Sequence, residues 1–577
     1  MKNFFKMLLA SILGILIVNI LVFIILLSVV AVIGSDEPVI IKNNSILKIA
    51  LNKPLEDRAG IPEIDIINFE VKTNLGLNNI LNGIEQAKLD QRIKGIFLEL
   101  SSVQAGIASV EEIRDALLNF KESGKFILAY AENYSQKAYY LATVADKIYL
   151  NPFGGGINFT GISSKITFFK GLLDKLGVDM QIIRHGKFKS AVEPFILNKM
   201  SDENREQIKS YTGSIWNYIL QTVSASRDIE IEELNRIANN LELVTAEDAL
   251  NKKFVDKLFY EDELIAELTK YSGGTSLNTI DIAKYHMSSL SFSGGKDKIA
   301  LIYASGEIMS GEGDTEIMSK TIIEAISKAR KDSSVKAVVF RVNSPGGASD
   351  ASEFIARELE ITKAKKPVVI SMGDLAASGG YWISTPADKI FAHHTTLTGS
   401  IGVFGLIPNI EKTMKEKLGI TFDVVTTNDY SDFPSITRPL KQVEKDYLQK
   451  MVEIVYSKFT DKVAKARNLS AERVDSIGQG RVWSGVNAFD IGLIDYFGGL
   501  KDAIQEAAKL ADISDYSILE LPKELSTFEM LMKTLEAKVS NHPDNEFVRS
   551  LERYNYLINS IKNFGVVAKL PYEIEIE

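Results

Sequence analysis

The distribution of apolar residues along the chain predicts one segment long enough to cross a membrane, followed by alternating strands and helices. Met7 to Ser35 contains no charged residue, which is sufficient length for a helix that spans a bilayer. Lys2 and Lys6 precede this segment and favour a cytoplasmic N-terminus, which would place the chain after residue 40 outside the cytoplasm. A cleaved signal peptide is the alternative. The apolar run exceeds the usual length of such a peptide and lacks a clear cleavage site, so we expect residues 1–40 to be a retained anchor.

After the anchor, the spacing of apolar residues alternates between the pattern typical of strands and the pattern typical of helices. Val335 to Val342 is a short run rich in β-branched residues, typical of a buried parallel strand. Ala351 to Lys363 has helical spacing and a basic end, and Pro367 to Met372 reads as the next strand. A turn rich in glycine and alanine then opens another helix. Strands that alternate with helices predict an α/β fold with a largely parallel sheet.

Similar segments recur at a constant distance of 242 positions, which indicates a duplicated chain. The matching pairs are Ile93–Leu100 with Val335–Val342, Ala145–Tyr149 with Ala387–Phe391, and Leu176–Gly177 with Leu418–Gly419. We therefore predict two tandem copies of one fold, at residues 45–290 and 296–577. The second copy would end in a tail that is helical in pattern after about Asp512.

The constant distance allows the two copies to be compared residue by residue. Ser378 lies in a small-residue turn of the second copy, and its counterpart in the first copy is Gln136. Lys189 of the first copy corresponds to Ser431 of the second. Each copy thus lacks a residue that the other retains, the pattern expected if an ancestral unit supplied serine and lysine to sites shared between units.

Composition narrows the chemistry that these residues could perform. The formal net charge of −9 and the lack of a dense basic stripe argue against nucleic-acid binding. The chain contains no cysteine, which excludes thiol nucleophiles, disulfides and cysteine-bound metals. The adjacent His393 and His394 have no acidic residue at ligand spacing, so we expect no metal and no cofactor. Gly154–Gly156 lacks the lysine of a phosphate-binding loop and reads as a turn.

A serine hydroxyl needs a base to become a nucleophile, and none of the five histidines lies in a recognisable triad motif. A lysine can replace histidine if burial or nearby cations keep its amine neutral. Arg184 and Lys187 would add positive potential near Lys189. Apolar neighbours in the sequence would bury its amine: Phe188, Ala191, Val192, Pro194 and Phe195.

The second requirement is a pair of backbone N–H groups that stabilise the oxyanion. Gly347 follows a predicted strand and Gly379 follows Ser378 at a predicted helix start, so both could supply such a group. Gly-rich turns on consecutive βα units would lie side by side at the carboxyl edge of the sheet.

Four motifs together resemble the signal peptide peptidase A family of serine peptidases in its long form, the protease IV type: Asn343–Gly347, Ala376–Trp382, Thr398–Gly402 and Lys189–Phe195. The resemblance extends over nearly the whole chain. It implies a ClpP/crotonase-like fold in both copies, a homotetramer, and active sites outside the cytoplasm at the inner membrane. It also implies that the substrates are signal peptides left in the membrane after their release from exported proteins.

By the same resemblance, Ser378 would be the nucleophile, Lys189 the general base and Ser400 the residue that orients the lysine, with Gly347 and Gly379 as the oxyanion hole. Two alternatives remain. A membrane-tethered scaffold without activity would have lost the serine site, whereas the second copy retains it. An acyl-CoA enzyme of the crotonase class would share the fold, but CoA thioesters are cytoplasmic.

Overall fold

A computed structural model describes residues 4–20 with gaps at 5, 8 and 19, and residues 41–59, 63–65, 70–72, 75–288, 295–313, 316–523 and 567–569. Most of the predicted anchor, from residue 21 to residue 40, lies outside the described residues. Among those that are described, no helix has both the length and the apolar character needed to cross a bilayer. The anchor therefore stays a prediction.

The first half of the chain alternates strands with helices, as the apolar pattern predicts. Its strands are β1 (Ser45–Ala50), β2 (Glu63–Asp65), β3 (Glu70–Lys72), β4 (Ile93–Glu99), β5 (Phe126–Ala131), β6 (Lys147–Leu150), β7 (Asp179–Arg184), β8 (Lys257–Leu258) and β9 (Asn278–Asp281). Its helices are α1 (Leu77–Leu89), α2 (Ile107–Lys121), α3 (Gln136–Ala142), α4 (Lys170–Leu176), α5 (Glu193–Ile196), α6 (Asp202–Arg227), α7 (Ile231–Asn240), α8 (Ala246–Asn251), α9 (Glu261–Ser272) and α10 (Ile282–Ser288), with a 3₁₀ turn at Ser190–Val192.

The second half repeats this alternation. Its strands are β10 (Asp297–Ser305), β11 (Ile308–Met309), β12 (Ile317–Met318), β13 (Val335–Ser344), β14 (Gly346–Ala348), β15 (Val368–Ala377), β16 (Lys389–Ala392), β17 (Leu397–Gly399), β18 (Phe404–Asn409), β19 (Val482–Ser484), β20 (Tyr496–Phe497), β21 (Tyr516–Leu521) and β22 (Val567–Lys569). Its helices are α11 (Ser319–Lys331), α12 (Ser349–Lys363), α13 (Gly379–Ser384), α14 (Gln442–Arg467), α15 (Ala471–Ile477), α16 (Gly485–Asp490) and α17 (Leu500–Leu510), with a π-helical turn at Thr413–Leu418.

The two halves build their main sheets in the same strand order. The first sheet runs β8-β6-β5-β4-β1-β9, and all its neighbouring strands are parallel. In the second sheet the corresponding order is β20-β16-β15-β13-β10-β21, also parallel. Identical order and direction are what a duplicated α/β unit would produce. The predicted strands and helix at β13, α12 and β15 are confirmed, although β15 continues five residues beyond Met372, to Ala377.

The tail after Asp512 differs from the helical prediction where the structure describes it. Tyr516–Leu521 form β21, which pairs with β10 at the edge of the second sheet. An unpaired edge strand offers a row of N–H and C=O groups, and pairing with β21 satisfies those of β10. Residues 524–566, which contain most of the predicted helix, lie outside the described residues.

A third sheet joins the halves, in the order β12-β11-β14-β22-β18-β7. The strand β7 of the first half pairs antiparallel with β18 of the second, with Arg184 opposite Phe404. Because β7 leads directly toward Lys189, this pairing brings a segment of the first half against the second sheet.

Buried polar contacts also hold the halves together. The guanidinium of Arg341, on β13, is fully buried and lies 2.7 Å from Asp57 and 2.8 Å from Glu112, both in the first half. Asp374, on β15, accepts hydrogen bonds from the N–H groups of Ala108 (2.8 Å) and Ser109 (3.0 Å) in the first turn of α2. A carboxylate at this position satisfies free N–H groups and interacts favourably with the helix dipole. The interface between the halves is therefore specified by charge as well as by packing.

Candidate active site

Lys189 belongs to the first half but is buried within the second. After β7 the chain turns at Gly186, whose φ of 90° favours glycine, and reaches the lysine just before the 3₁₀ turn. The N–H of Phe188 donates to the carbonyl of Gln479 (3.0 Å), which ties this segment to the opposite half. Gly480 then lies so close that a Cβ atom there would be 2.6 Å from the Cβ of Lys189. Only a residue without a side chain allows this approach.

Ser378 occupies the sharp turn between β15 and α13. Its φ of 56° and ψ of −114° are unusual for a residue other than glycine. The N–H of Ser378 donates to the carbonyl of Gly399 (2.8 Å), and its carbonyl accepts from the N–H of Trp382 (2.9 Å), so both sides of the turn are fixed. Strain of this kind is maintained only where the surrounding structure enforces it, and it often marks functional sites.

The two side chains meet. The Nζ atom of Lys189 lies 2.8 Å from the Oγ atom of Ser378 and 3.0 Å from the Oγ atom of Ser400, and all three residues are fully buried. Ser400 also has positive φ, at 49°, and its N–H donates to the carbonyl of Arg481 (2.7 Å). Its hydroxyl lies 3.3 Å from the carbonyl of Gly480. The lysine amine is thus held between two serine hydroxyls whose backbones are themselves fixed.

Burial lowers the pKa of Lys189 to about 7, because the charged ammonium loses its hydration inside the protein. The ring of Phe404, on β18, contributes to this environment, with its centroid 5.9 Å from Nζ. The guanidinium of Arg184, from which positive potential was expected, donates to the backbone carbonyl of Lys189 (3.4 Å). At neutral pH a substantial fraction of this amine is unprotonated and can accept a proton.

The two predicted oxyanion glycines follow neighbouring strands, β13 and β15, which pair with Ser344 opposite Ala376. Gly379 is the first residue of α13. Gly347 lies in β14 against β11, where a Cβ atom would be 2.0 Å from the carbonyl oxygen of Ile308. Gly346 has a φ of 99°, and its N–H donates to the hydroxyl of Ser344 (3.1 Å). The Gly-rich turns lie at the carboxyl edge of the sheet, as predicted.

His393 and His394 have acidic neighbours that sequence analysis missed, because these come from α2 of the other half. The carboxylate of Glu111 is buried and accepts hydrogen bonds from the ring of His394 (2.6 Å) and from the hydroxyl of Thr395 (2.7 Å). Burial opposes a charge on His393, but Glu111 and Glu112 outweigh it and raise its pKa to about 10. Glu111, Asp115 and His393 could be brought to one metal ion. His393 forms ion pairs with Glu111 and Glu112, so this cluster also connects the two halves.

Comparison of the sequence with known proteins identifies the family of this chain. The model of "Peptidase family S49" matches residues 119–274 and 360–514, once in each half. Protease 4 of Salmonella typhi is 40% identical over 80% of this chain and 76% of its own length. Protease 4 of Haemophilus influenzae is 38% identical, over 76% of this chain and 75% of its own.

The chloroplastic serine protease SPPA of Arabidopsis thaliana is 32% identical over 82% of this chain and 70% of its own. Matches that include both halves confirm the resemblance to the long form of signal peptide peptidase A. The chain belongs to peptidase family S49 and is a serine peptidase.

Proposed function

We propose that this peptidase works through a dyad in which Ser378 is the nucleophile and Lys189 the general base. One observation carries the proposal: a lysine amine with its pKa lowered to about 7 lies 2.8 Å from the hydroxyl of a strained serine. A neutral amine at this distance can accept the hydroxyl proton as the oxygen attacks a peptide carbonyl. Ser400, 3.0 Å from the same amine, would orient it.

The reaction would follow the usual two steps of acyl transfer. Ser378 Oγ bonds to the carbonyl carbon while its proton moves to Lys189 Nζ, and the N–H groups of Gly347 and Gly379 would stabilise the oxyanion. The ammonium then gives the proton to the leaving amine, which departs and leaves an acyl-enzyme. A water molecule attacks this ester as Lys189 takes its proton. Collapse of the second intermediate returns the proton to Ser378 and releases the acid.

For the biological role we propose the one that the family resemblance implies. The enzyme would be anchored in the cytoplasmic membrane by residues 1–40, with both halves outside the cytoplasm, and would degrade signal peptides left in that membrane. The uncharged run from Met7 to Ser35 supports the anchor. A ClpP/crotonase-like fold in each half and a homotetramer stay predictions. The repeated strand order of the two sheets supports the duplication but neither of these.

A serine-directed fluorophosphonate probe tests the dyad. We expect the wild-type chain to be labelled, Ser378→Ala to be unlabelled, and Lys189→Arg to be nearly unlabelled because a guanidinium cannot act as a base. Lys187→Arg is the matched control, since Lys187 is exposed two residues away and should label normally. Undiminished labelling of Lys189→Arg would refute the base assignment. An unlabelled wild-type chain that is folded would instead favour the scaffold.

Extraction of membranes at alkaline pH tests the anchor, because an integral protein stays with the bilayer and a surface-bound one is released. For the substrate class, we expect peptides with an apolar signal-peptide core to be cleaved faster than polar peptides of the same length. Equal rates would contradict this substrate assignment while leaving the dyad unaffected.

A further inference from the structure

The chain's own C-terminal strand fills a gap in the third sheet. Strand β22, Val567–Lys569, lies between β14 and β18 and pairs antiparallel with both. Lys569 is opposite Gly346, Ala568 opposite Gly347, and Val567 opposite both Ala348 and Phe404. Within the described residues, β14 and β18 are connected in this sheet only through β22. Without it they would border a slot one strand wide, since paired strands lie about 4.8 Å apart.

This slot runs along the candidate active site. One wall, β14, contains Gly347, the proposed oxyanion donor that follows β13. The other wall, β18, contains Phe404, whose ring lies 5.9 Å from the amine of Lys189. An extended peptide commonly binds by adding a strand to an open sheet edge, where main-chain hydrogen bonds supply affinity and side-chain pockets supply specificity. The slot offers two such edges beside the Ser378–Lys189 pair.

A charged contact accompanies the strand. The amine of Lys569 forms an ion pair with the carboxylate of Glu307, which lies between β10 and β11. The Glu307 side chain is only 15% exposed, and its own N–H donates to Glu316 (2.5 Å), so a second carboxylate lies next to it. A mostly buried carboxylate needs a cationic partner, and here the strand in the slot supplies it.

We propose that Glu307 selects peptides with a basic side chain at the position opposite Gly346, and that Lys569 occupies this subsite from within the chain until a substrate displaces it. The inference rests on the proposed function, because it makes the slot the substrate site. Since β22 is covalently attached, its effective concentration at the slot is on the order of millimolar, and it competes with any free peptide. Cleavage would then require peptides that are bound more tightly than β22, or that are present at high local concentration.

Peptide binding to full-length Ser378→Ala protein tests the inference without depending on catalysis. The probe is a fluorescent peptide with the sequence of residues 564–572, FGVVAKLPY, and its binding is measured by anisotropy. Adding Lys569→Glu should release β22 from Glu307 and tighten peptide binding about two- to fivefold, the range expected for a partly exposed ion pair. Lys501→Glu is the matched control, because it reverses an exposed lysine paired with Glu85 and should leave binding unchanged.

The choice of side chain is tested with a second peptide in which glutamate replaces the lysine. We expect the lysine peptide to bind more tightly than the glutamate peptide to Lys569→Glu protein. In Glu307→Lys protein we expect the glutamate peptide to bind more tightly. Glu307→Gln, which keeps the shape of the side chain, should make the two peptides bind alike. Unchanged binding in Lys569→Glu, or a preference for lysine that survives in Glu307→Gln, would overturn the inference.

The two proposals fail in distinguishable ways. If Ser378 reacts with the fluorophosphonate but peptide binding ignores Glu307 and Lys569, the subsite is wrong and the dyad remains. If binding follows the charges but Ser378 never reacts, the slot binds peptides as inferred and the dyad is wrong.

Discussion

The lowered pKa of Lys189 leads to a quantitative prediction about how activity depends on pH. An ordinary lysine has a pKa of 10.5, so roughly one molecule in three thousand would hold the neutral amine at pH 7. With its pKa lowered to about 7, roughly half of the molecules hold it. Burial thus increases the fraction of neutral Lys189 amine, the proposed general base, by about a thousandfold at neutral pH, before any effect of positioning.

The assay is the second-order rate of fluorophosphonate labelling of Ser378 between pH 5 and pH 10. We expect the rate to rise about tenfold for each pH unit below pH 7 and to level off near pH 8, because the neutral fraction of Lys189 is then close to its maximum. Lys187→Arg should follow the same curve. A rate that still rises steeply at pH 10 would show that the pKa of Lys189 is that of an ordinary lysine. A rate that does not change with pH would show that the base is another group.

The same pKa affects stability, with a definite sign. Between pH 7 and pH 10.5 the unfolded chain binds a proton at Lys189 that the folded chain does not, so the free energy of unfolding falls as the pH is lowered through this window. The full loss is at most about 5 kcal/mol, at about 1.4 kcal/mol for each pH unit. Lys189→Met should remove this dependence. The free energies of unfolding are measured by denaturant titration at several pH values. If they change with pH equally in the wild type and in Lys189→Met, burial of Lys189 is not the cause of the dependence.

Three further substitutions test the surroundings of the site. Ser400→Ala should slow acylation about tenfold to a hundredfold at unchanged KM, since it removes a hydrogen bond to the lysine amine; equal kcat would contradict the orienting role. Gly480→Ala places a Cβ atom 2.6 Å from that of Lys189, so labelling should be lost with destabilisation of about 1–3 kcal/mol; normal labelling would show that the contact relaxes. Arg341→Met removes the guanidinium that pairs with two buried carboxylates and should cost about 3–5 kcal/mol in denaturant titrations; a loss below 1 kcal/mol would contradict a structural role.

Sequence patterns predicted the main elements and residues of the site, because these features depend on local chemistry. The β-branched run at Val335–Val342 and the helical spacing at Ala351–Lys363 correspond to β13 and α12. The complementary losses in the two copies singled out Ser378 and Lys189, which are 189 positions apart, and the structure brings their side chains into contact.

The parts that the sequence did not reveal depend on how the halves dock. Nothing near Phe404 indicates that its ring packs against a lysine from the other half, and nothing near His393 points to Glu111. Periodicity reports which face of an element is buried, but not which residues of a distant element lie against it. The edge strand β21 is a similar case, because it pairs with β10, a strand that is distant in the sequence.

The division of the site between two halves also affects when the enzyme becomes active during its own synthesis. The N-terminal half emerges first from the ribosome and contains the lysine without the serine. The serine follows 189 residues later, and it gains its partner only when β7 has paired with β18. With the proposed dyad, a nascent or partly unfolded chain in which β7 and β18 have not yet paired would therefore lack a general base beside its nucleophile.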